Sequence, residues 1–504
     1  MGFDFSSEER RELGYRLIDR IDQYFSSLNN RAVQPPASQR TVTREPQPLP
    51  ELGSDATQVL DDLCTEMIDR GFHIPAANYF GLMNPTPTYM AVLADALVSA
   101  LNPQLASLAR SQFASTLEAE TIGWIASRFG WHKITGNAPA PSDVILCDGT
   151  FTSGGNEANF TALALAISHH FPNAIEDGIA TIGARPVFYA SSESHHSLEK
   201  SAGLLGLGRK AMRRIPVNDR LRLDTARLIL QIEADYACGF LPFCIVATAG
   251  TTSSGAIDDL NALASIAERY GLWLHVDGAY GAAAAFSDKY RPLLSGIERA
   301  DSITVDPHKW LSMPFAAGII LTRHPAMLER TFAMASPYMP HVARPSMIDN
   351  FKVSAQWSRR MNSLKLWLTL RVHGRQSYEE MIERQMQLAS EMSAWFEDSE
   401  YFALAAPQVL PILNFRLRGV DEADAEAAHQ AFIEEFNRDG SYWISRTHVR
   451  GKSVLRMMII SYLSTSEHLA GLQKALQSAA ERVVGIGENS TGPAKLRSLV
   501  AEET

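Results

Sequence analysis

The chain has 504 residues, 46% hydrophobic and 20% charged, a balance that gives a globular protein a sizeable core and room for more than one domain. Its 46 basic and 56 acidic residues leave a net charge of −10, and no basic run stands out to suggest nucleic acid or an anionic membrane. A small-molecule partner is expected instead. No apolar span is long enough to cross a bilayer, and the N-terminal residues lack the order of a secretory signal, so a cytoplasmic location is expected.

Residues 7 to about 28 read as an amphipathic helix. Leu13, Leu17, Ile18, Ile21, Tyr24 and Phe25 recur at helical spacing behind a serine cap, and the apolar stripe needs a surface to lie on. Five prolines (35, 36, 46, 48 and 50) make residues 33–52 an extended linker. A short helix over 56–70 and a loop over 71–85 complete an N-terminal segment, 1–87. From 88 to 375, apolar strand candidates (144–146, 187–190, 243–248, 273–276, 302–305 and 317–322) alternate with helical stretches, the pattern of a large α/β domain with a mostly parallel sheet. A helix over 376–397, strands over 412–417 and 454–461 and helices over 422–437 and 466–484 read as a small α+β domain, 376–504. The tail from Gly485 is polar and expected to fray. Cys64, Cys147, Cys238 and Cys244 are too widely spaced for a disulfide framework or a zinc site, and no metal is expected. Cys147 and Cys244, in strand candidates, read as buried and inert.

In open α/β sheets ligands gather beyond the carboxyl ends of the strands, so the residues that follow each apolar run are the informative ones. Here they are Thr152-Ser-Gly-Gly-Asn-Glu-Ala158 opening a helix, Ser194-His-His-Ser197, Gly250-Thr-Thr252, Asp277 and His308-Lys309. Gly154, Gly155 and Asn156 would present bare N–H groups at a helix N-terminus, where a phosphate is favoured; the same Gly-Gly also suits a tight turn. The run has neither a Walker lysine nor the spaced glycines of a dinucleotide site. Asp277 is a helix cap or the partner of a cationic ring, and the weak helix start Gly278-Ala-Tyr-Gly281 favours the second. Ala279 is small enough to let a flat ring lie against it. Lys309, between Val-Asp-Pro-His and Trp310, is badly placed for a solvated lysine and well placed to form a Schiff base. An amine of that kind and an acid that keeps a pyridine nitrogen protonated are what pyridoxal phosphate requires. His195 or His196 either caps a helix or stacks on such a ring. Thr252 contacts a ring hydroxyl or is only a turn hydroxyl, and His308 contacts the phosphate side or a backbone carbonyl.

In this order, with Ala247-Thr-Ala-Gly-Thr-Thr252, His275-Val-Asp-Gly-Ala-Tyr-Gly281 and Val305-Asp-Pro-His-Lys-Trp310, the motifs resemble those of the group II pyridoxal-phosphate-dependent amino acid decarboxylases, from about residue 60 to about 480. The resemblance implies a fold-type I homodimer of the aspartate aminotransferase kind. Its active sites would be shared between subunits and its N-terminal segment packed on the partner. It makes Lys309 the Schiff-base lysine, Asp277 the pyridinium partner, Ala279 the opposite-face contact, Thr252 the ring-hydroxyl contact and His195 the stacking imidazole. Gly154, Gly155, Asn156 and His308 fall on the phosphate side. Where family members often have Asp-Ala-Ala, this chain has Asp277-Gly-Ala279.

The activity implied is decarboxylation of an L-amino acid to its amine, with aromatic substrates ranked slightly first and acidic or diamino substrates as alternatives. Where the family carries a lid tyrosine, counting back from Arg359 reaches Phe351, while Tyr338 would need a loop insertion to serve. Phenylalanine there tends toward an oxygen-dependent aldehyde synthase, which is a second alternative. A non-catalytic relative that binds the cofactor and serves in interactions is a third, and the retained Lys309 and Asp277 argue against it. Met83 and Ala106 stand where the animal aromatic enzymes carry aromatic residues. Arg110, Arg344, Arg359 and Arg360 are the candidate cations for an acidic side chain, with Arg359 and Arg360 better suited to a structural helix.

Overall fold

The computed structural model describes residues 3–37, 40, 47–133, 145–335 and 348–488. The apolar runs of the central region form a sheet of eight strands: β1 (Trp131–Lys133), β2 (Ile145–Thr152), β3 (Pro186–Ser191), β4 (Met212–Ile215), β5 (Leu241–Thr248), β6 (Trp273–Asp277), β7 (Ser302–Val305) and β8 (Gly318–Thr322). Their order is β1-β2-β8-β7-β6-β5-β3-β4. Only β8 runs against its neighbours, pairing antiparallel with β2 and β7; the remaining pairs are parallel. Strands β3, β6, β7 and β8 are buried at every residue. A parallel sheet covered on both faces demands such unbroken apolar runs, which is why these strands stand out in the sequence.

Strand β2 departs from the expectation. It runs on to Thr152 through the polar stretch Asp148-Gly-Thr-Phe-Thr152, and Val144 lies outside the described residues. Ladder pairing with β8, from Asp148 opposite Thr322 to Thr152 opposite Gly318, overrides the local polarity. Strands β1 and β4, of three and four residues, are too short to show a pattern of their own.

A second sheet, β11-β12-β10-β9, is antiparallel throughout, with β9 (Phe402–Leu404), β10 (Ile412–Leu417), β11 (Ser445–Val449) and β12 (Lys452–Met458). The helices Ala425–Phe436 and Ser466–Glu488 contribute Phe432, Leu472 and Leu476 to its core, beside Phe402 and Phe415. The second helix continues past Gly485, where fraying is expected from the sequence. The helix expected over 376–397 is the latter part of Ser363–Asp398, which is broken at Gly374 in the left-handed region (φ 70°). Its first part sends Leu366 into the core of the large sheet, and its second part sends Met392 and Phe396 into that of the small one.

The N-terminal helices Ser7–Ser27 and Ala56–Asp69 start where the sequence predicts. Ser6 and Glu9 form a capping box on the first, and Asp55 caps the second. Neither helix contains a buried residue, and Tyr15, Leu17, Ile18, Val59, Leu63 and Met67 are exposed. Leu13, Ile21, Tyr24 and Phe25 are half-buried, Tyr24 against His73 and Phe25 against Tyr89, so the described part of the chain covers one side of the apolar stripe and leaves Leu17 and Ile18 open. The linker is tied down elsewhere, with the Val33 and Gln34 N–H groups donating to the Gly440 carbonyl at 2.8 and 3.2 Å. Among the described residues no helix is long and apolar enough to cross a membrane.

Burial pushes His170, His275 and His429 down to about 4. Unfolded, each would titrate near 6.5 and bind a proton the native ring refuses, so native stability rises with pH between about 4 and 6.5 and is fully present above that range. Asp258, pushed by burial up to about 6, works the other way over most of the window. Three histidines against one carboxyl predict a lower melting temperature at pH 5 than at pH 7. Thermal melts at matched ionic strength check this, and equal or reversed values would contradict it.

Candidate active site

The strand ends of the large sheet open on one cavity of about 310 Å³. Gly154, Gly155, Asn156, His195, Thr252, Asp277, Ala279, His308 and Lys309, the residues singled out in the sequence, all line it. His196 does not: its side chain is 83% exposed and lies 3.5 Å from Glu199. His195 faces the cavity, with Nδ1 accepting from the Ser197 N–H at 3.2 Å. Burial lowers the pKa of His195, and the nearby Asp277 opposes the shift.

Asp277 ends β6 and is buried. Its Oδ2 accepts from the Asn159 amide at 2.8 Å, and its Oδ1 from the Ala279 N–H at 3.2 Å. Gly278 is small for a local reason. A Cβ there would come within 2.8 Å of the Ala282 Cβ and 2.9 Å of the Thr304 carbonyl oxygen, so the tight turn after Asp277 excludes even alanine as packed here.

Lys309 Nζ lies 3.1 Å from Asp306 Oδ2. The carboxylate is buried, and its other oxygen, Oδ1, has no hydrogen-bond partner. An orphaned acceptor beside a lysine amine marks a place where a polar group belongs. His308 Nδ1 accepts from the Ala317 N–H at 3.1 Å, its ring rests on Phe315 with centroids 4.9 Å apart, and burial holds its pKa down. Phe315 is 60% exposed and lines the cavity. Its loop is held by the buried Lys365, which donates to the Pro314 and Ala316 carbonyls at 3.1 and 2.8 Å.

Opposite stands the helix Gly155–His170, whose first N–H groups have no acceptors in a preceding turn. A Cβ on Gly155 would meet Asp306 Oδ2 at 2.7 Å and the Ala279 Cβ at 3.2 Å. The helix start, Asp306 and Ala279 therefore form a cradle that only glycine keeps open. The donor set suits a ring with an aldehyde, a ring nitrogen and a phosphate: an amine, a fixed carboxylate, a small flat wall and a helix N-terminus.

Asn159, Asp306, Phe315 and Arg456 are absent from the residues singled out in the sequence. Arg456 stands behind Thr252 and donates to its carbonyl at 2.7 Å. Asp306 sits one helical-like turn before Lys309, and Asn159 one turn beyond Asn156, so spacing from known site residues is the signal that could find them. Arg456 lies too far along the chain for any such signal.

Other sequence candidates stand away from the cavity. Phe351 is 2% exposed, with its N–H bonded to the Ala106 carbonyl at 3.1 Å and its ring 4.7 Å from Trp357, so it is a core residue and not part of a surface lid. Met83 lines the cavity; Ala106 is buried outside it. Arg110 is exposed, and Arg360 pairs with Asp95 at 3.2 Å. Tyr338 and Arg344 lie outside the described residues. Arg359 is buried, paired with Glu118 at 2.5 Å and donating to the Phe151 carbonyl at 3.1 Å, where it holds the end of β2. Arg359→Met strands Glu118 as an unpaired buried charge and is expected to cost about 3–5 kcal/mol. Adding Glu118→Leu should recover much of the loss in denaturation measurements; equal losses in the single and double variants would contradict the pairing.

Residues 36–418 match the pyridoxal-dependent decarboxylase conserved domain. The chain is 30% identical over 488 residues to an aromatic-L-amino-acid decarboxylase of Bacillus atrophaeus, covering 95% of this chain and 97% of that one. It is 28% identical to a histidine decarboxylase of Drosophila melanogaster, covering 95% of this chain and 56% of the longer relative. The crystal structure of Oryza sativa TDC with PLP and tryptamine superposes with a TM-score of 0.86 at 25% identity, over 96% of this chain and 99% of that one. The fold is that of the fold-type I pyridoxal-phosphate enzymes. Sequence, fold and cavity agree: this chain belongs to the pyridoxal-dependent decarboxylase family and is a pyridoxal-phosphate-dependent amino acid decarboxylase.

Proposed function

We propose that the protein converts an aromatic L-amino acid to the corresponding amine and carbon dioxide, with Lys309 as the residue that holds the cofactor. The observation that carries this reading is the convergence of Lys309 and Asp277 on one cavity that has Ala279 in its wall and no arginine among its described lining residues. An acidic side chain would need a cation to pair with. Arg359 and Arg360 are already paired, and the bond from Arg456 Nη1 goes to the Thr252 carbonyl. Met83, Tyr280 and Phe315 offer apolar surface in the same cavity. The family relatives named for aromatic substrates support this ranking by analogy.

Pyridoxal phosphate, when bound, supplies a cationic pyridine ring that takes up the electron pair of the breaking bond between Cα and the carboxylate. The rest falls to the chain's own residues. Lys309 would present the amine for the cofactor's aldehyde carbon, with Asp306 beside it to hold the amine in place. Asp277, fixed by Asn159 and the Ala279 N–H, would hold the ring nitrogen. His195 and the Ala279 methyl would flank the ring, the Gly155 and Asn156 N–H groups would receive the phosphate with Gly154 and His308 beside them, and Thr252 would meet the ring hydroxyl.

The aldehyde-synthase alternative drew on Phe351 at the lid, and the burial of Phe351 against Trp357 removes that support. A homodimer with shared active sites fits the uncovered apolar side chains of the helices Ser7–Ser27 and Ala56–Asp69, because a second subunit would cover them.

Purified holoenzyme given aromatic, acidic and basic L-amino acids should release amine and CO2 in equal amounts from an aromatic member, without hydrogen peroxide, and Lys309→Ala should abolish both products. Peroxide with aldehyde, or turnover confined to an acidic substrate, would overturn the assignment. Gly155→Ala should weaken cofactor binding by about tenfold or more, equivalent to roughly 1.4 kcal/mol, because its methyl group enters the cradle. Fluorescence titration of the apoprotein reads this directly.

A further inference from the structure

From the cavity wall a set of buried polar side chains runs inward, of which the reading above uses only Asn159 and Asp277. Trp273, His275 and Asp277 alternate along β6 and so face one side of the sheet. Strand β7 sets Ser302 opposite His275 and Thr304 opposite Asp277. The helix Gly155–His170 covers that side and supplies Asn159.

The donors and acceptors fix one direction of bonding. Asp277 Oδ2 accepts, so the Asn159 group 2.8 Å away is the amide NH2, which also donates to Ser197 Oγ at 2.9 Å. The Asn159 carbonyl oxygen therefore points the other way, toward Thr304 Oγ1 at 2.9 Å and His275 Nε2 at 3.1 Å. Both of those must donate, which places the His275 proton on Nε2. Nδ1 then accepts from Ser302 Oγ at 2.9 Å, and Ser302 Oγ accepts from the Trp273 indole N–H at 2.9 Å. A proton on Nδ1 instead would serve the Ser302 carbonyl at 3.2 Å but would set the bare Nε2 against the Asn159 carbonyl oxygen, two acceptors 3.1 Å apart, and a proton on both nitrogens is disfavoured by complete burial without a carboxylate in contact.

We propose that Asn159 and His275 are positioning residues for the cofactor's ring nitrogen. The chain Trp273, Ser302, His275, Asn159 locks the Asn159 amide in the one orientation that donates to Asp277, and so sets the direction and strength with which Asp277 holds that nitrogen. Without the donors at its carbonyl oxygen the amide could turn, placing two acceptors 2.8 Å apart and pushing the carboxylate out of line. The proposal rests on the reading that Asp277 faces the ring nitrogen.

The test is cofactor binding and the spectrum of the bound cofactor, read without substrate. Apoprotein is refilled with pyridoxal phosphate, the dissociation constant is taken from fluorescence, and the visible absorbance is titrated against pH. Asn159→Ala and His275→Leu should each weaken binding by about tenfold or more and move the spectral midpoint, while His275→Gln, which keeps a donor toward Asn159, should stay near the parent in both. A merely structural role would lower the melting temperature and leave the midpoint in place, and that result overturns the proposal. Asp277→Asn is the control. If it alone shifts the midpoint, the relay fails and the site reading stands; if it shifts nothing, the site reading fails. Should Asn159→Ala not fold, the isosteric Thr304→Val removes one of the two donors to the same oxygen, and an unmoved midpoint there also overturns the proposal.

Discussion

A carboxylate buried at the end of a central strand is the constraint around which the rest of the site is built. Taking Asp277 out of water is costly unless donors meet it, and the fold supplies them from two directions: the Asn159 amide on the covering helix and the Ala279 N–H in the turn that follows. The first fixes the helix Gly155–His170 to the strand at that depth. The second requires a turn so tight that residue 278 is glycine. The departure from Asp-Ala-Ala in the sequence therefore has a local steric cause and leaves the carboxylate at the end of β6, in the cavity wall.

A second buried carboxylate, Asp306, does for the lysine what Asn159 does for Asp277. The oxygen that meets the amine also stands close to the start of the helix at Gly155, where it would lie 2.7 Å from an added Cβ. Amine, carboxylate and helix start are thus packed against one another where the strands end. Arg359 secures the arrangement from behind by holding the end of β2 at the Phe151 carbonyl.

Much of this was legible in the sequence, and the reason is physical. Strands β3, β5, β6 and β7 are buried on both faces, so they must be apolar, and the chemistry-bearing residues follow each one directly. The extent of β2 was not legible, because its polar residues are made strand by pairing with β8 far along the chain. The role suggested for Phe351 failed for a related reason: counting residues through an irregular loop carries no information about which side chains turn inward. Asn159 and Asp306 each lie one turn from a motif residue and could have been found by helical or turn spacing. Arg456 reaches Thr252 from the small sheet and has no local sign. The apolar stripe of the first helix was legible as a stripe, but nothing in the sequence says what covers the part left open at Leu17 and Ile18.

The position of β8 has a consequence for the order in which the protein takes shape during synthesis. Strand β2 carries the glycine-rich helix start at its end, yet apart from the three-residue edge strand β1 its partner in the sheet is β8, which is made more than a hundred residues later. Until residues 318–322 leave the ribosome, β2 has no place between β1 and the parallel strands, and Gly155 is not yet held against Ala279 and Asp306, although both have been made. Loop closure over so long a separation is slow. The cavity is therefore a late product of folding, completed only after both Asp277 and Lys309 have been made.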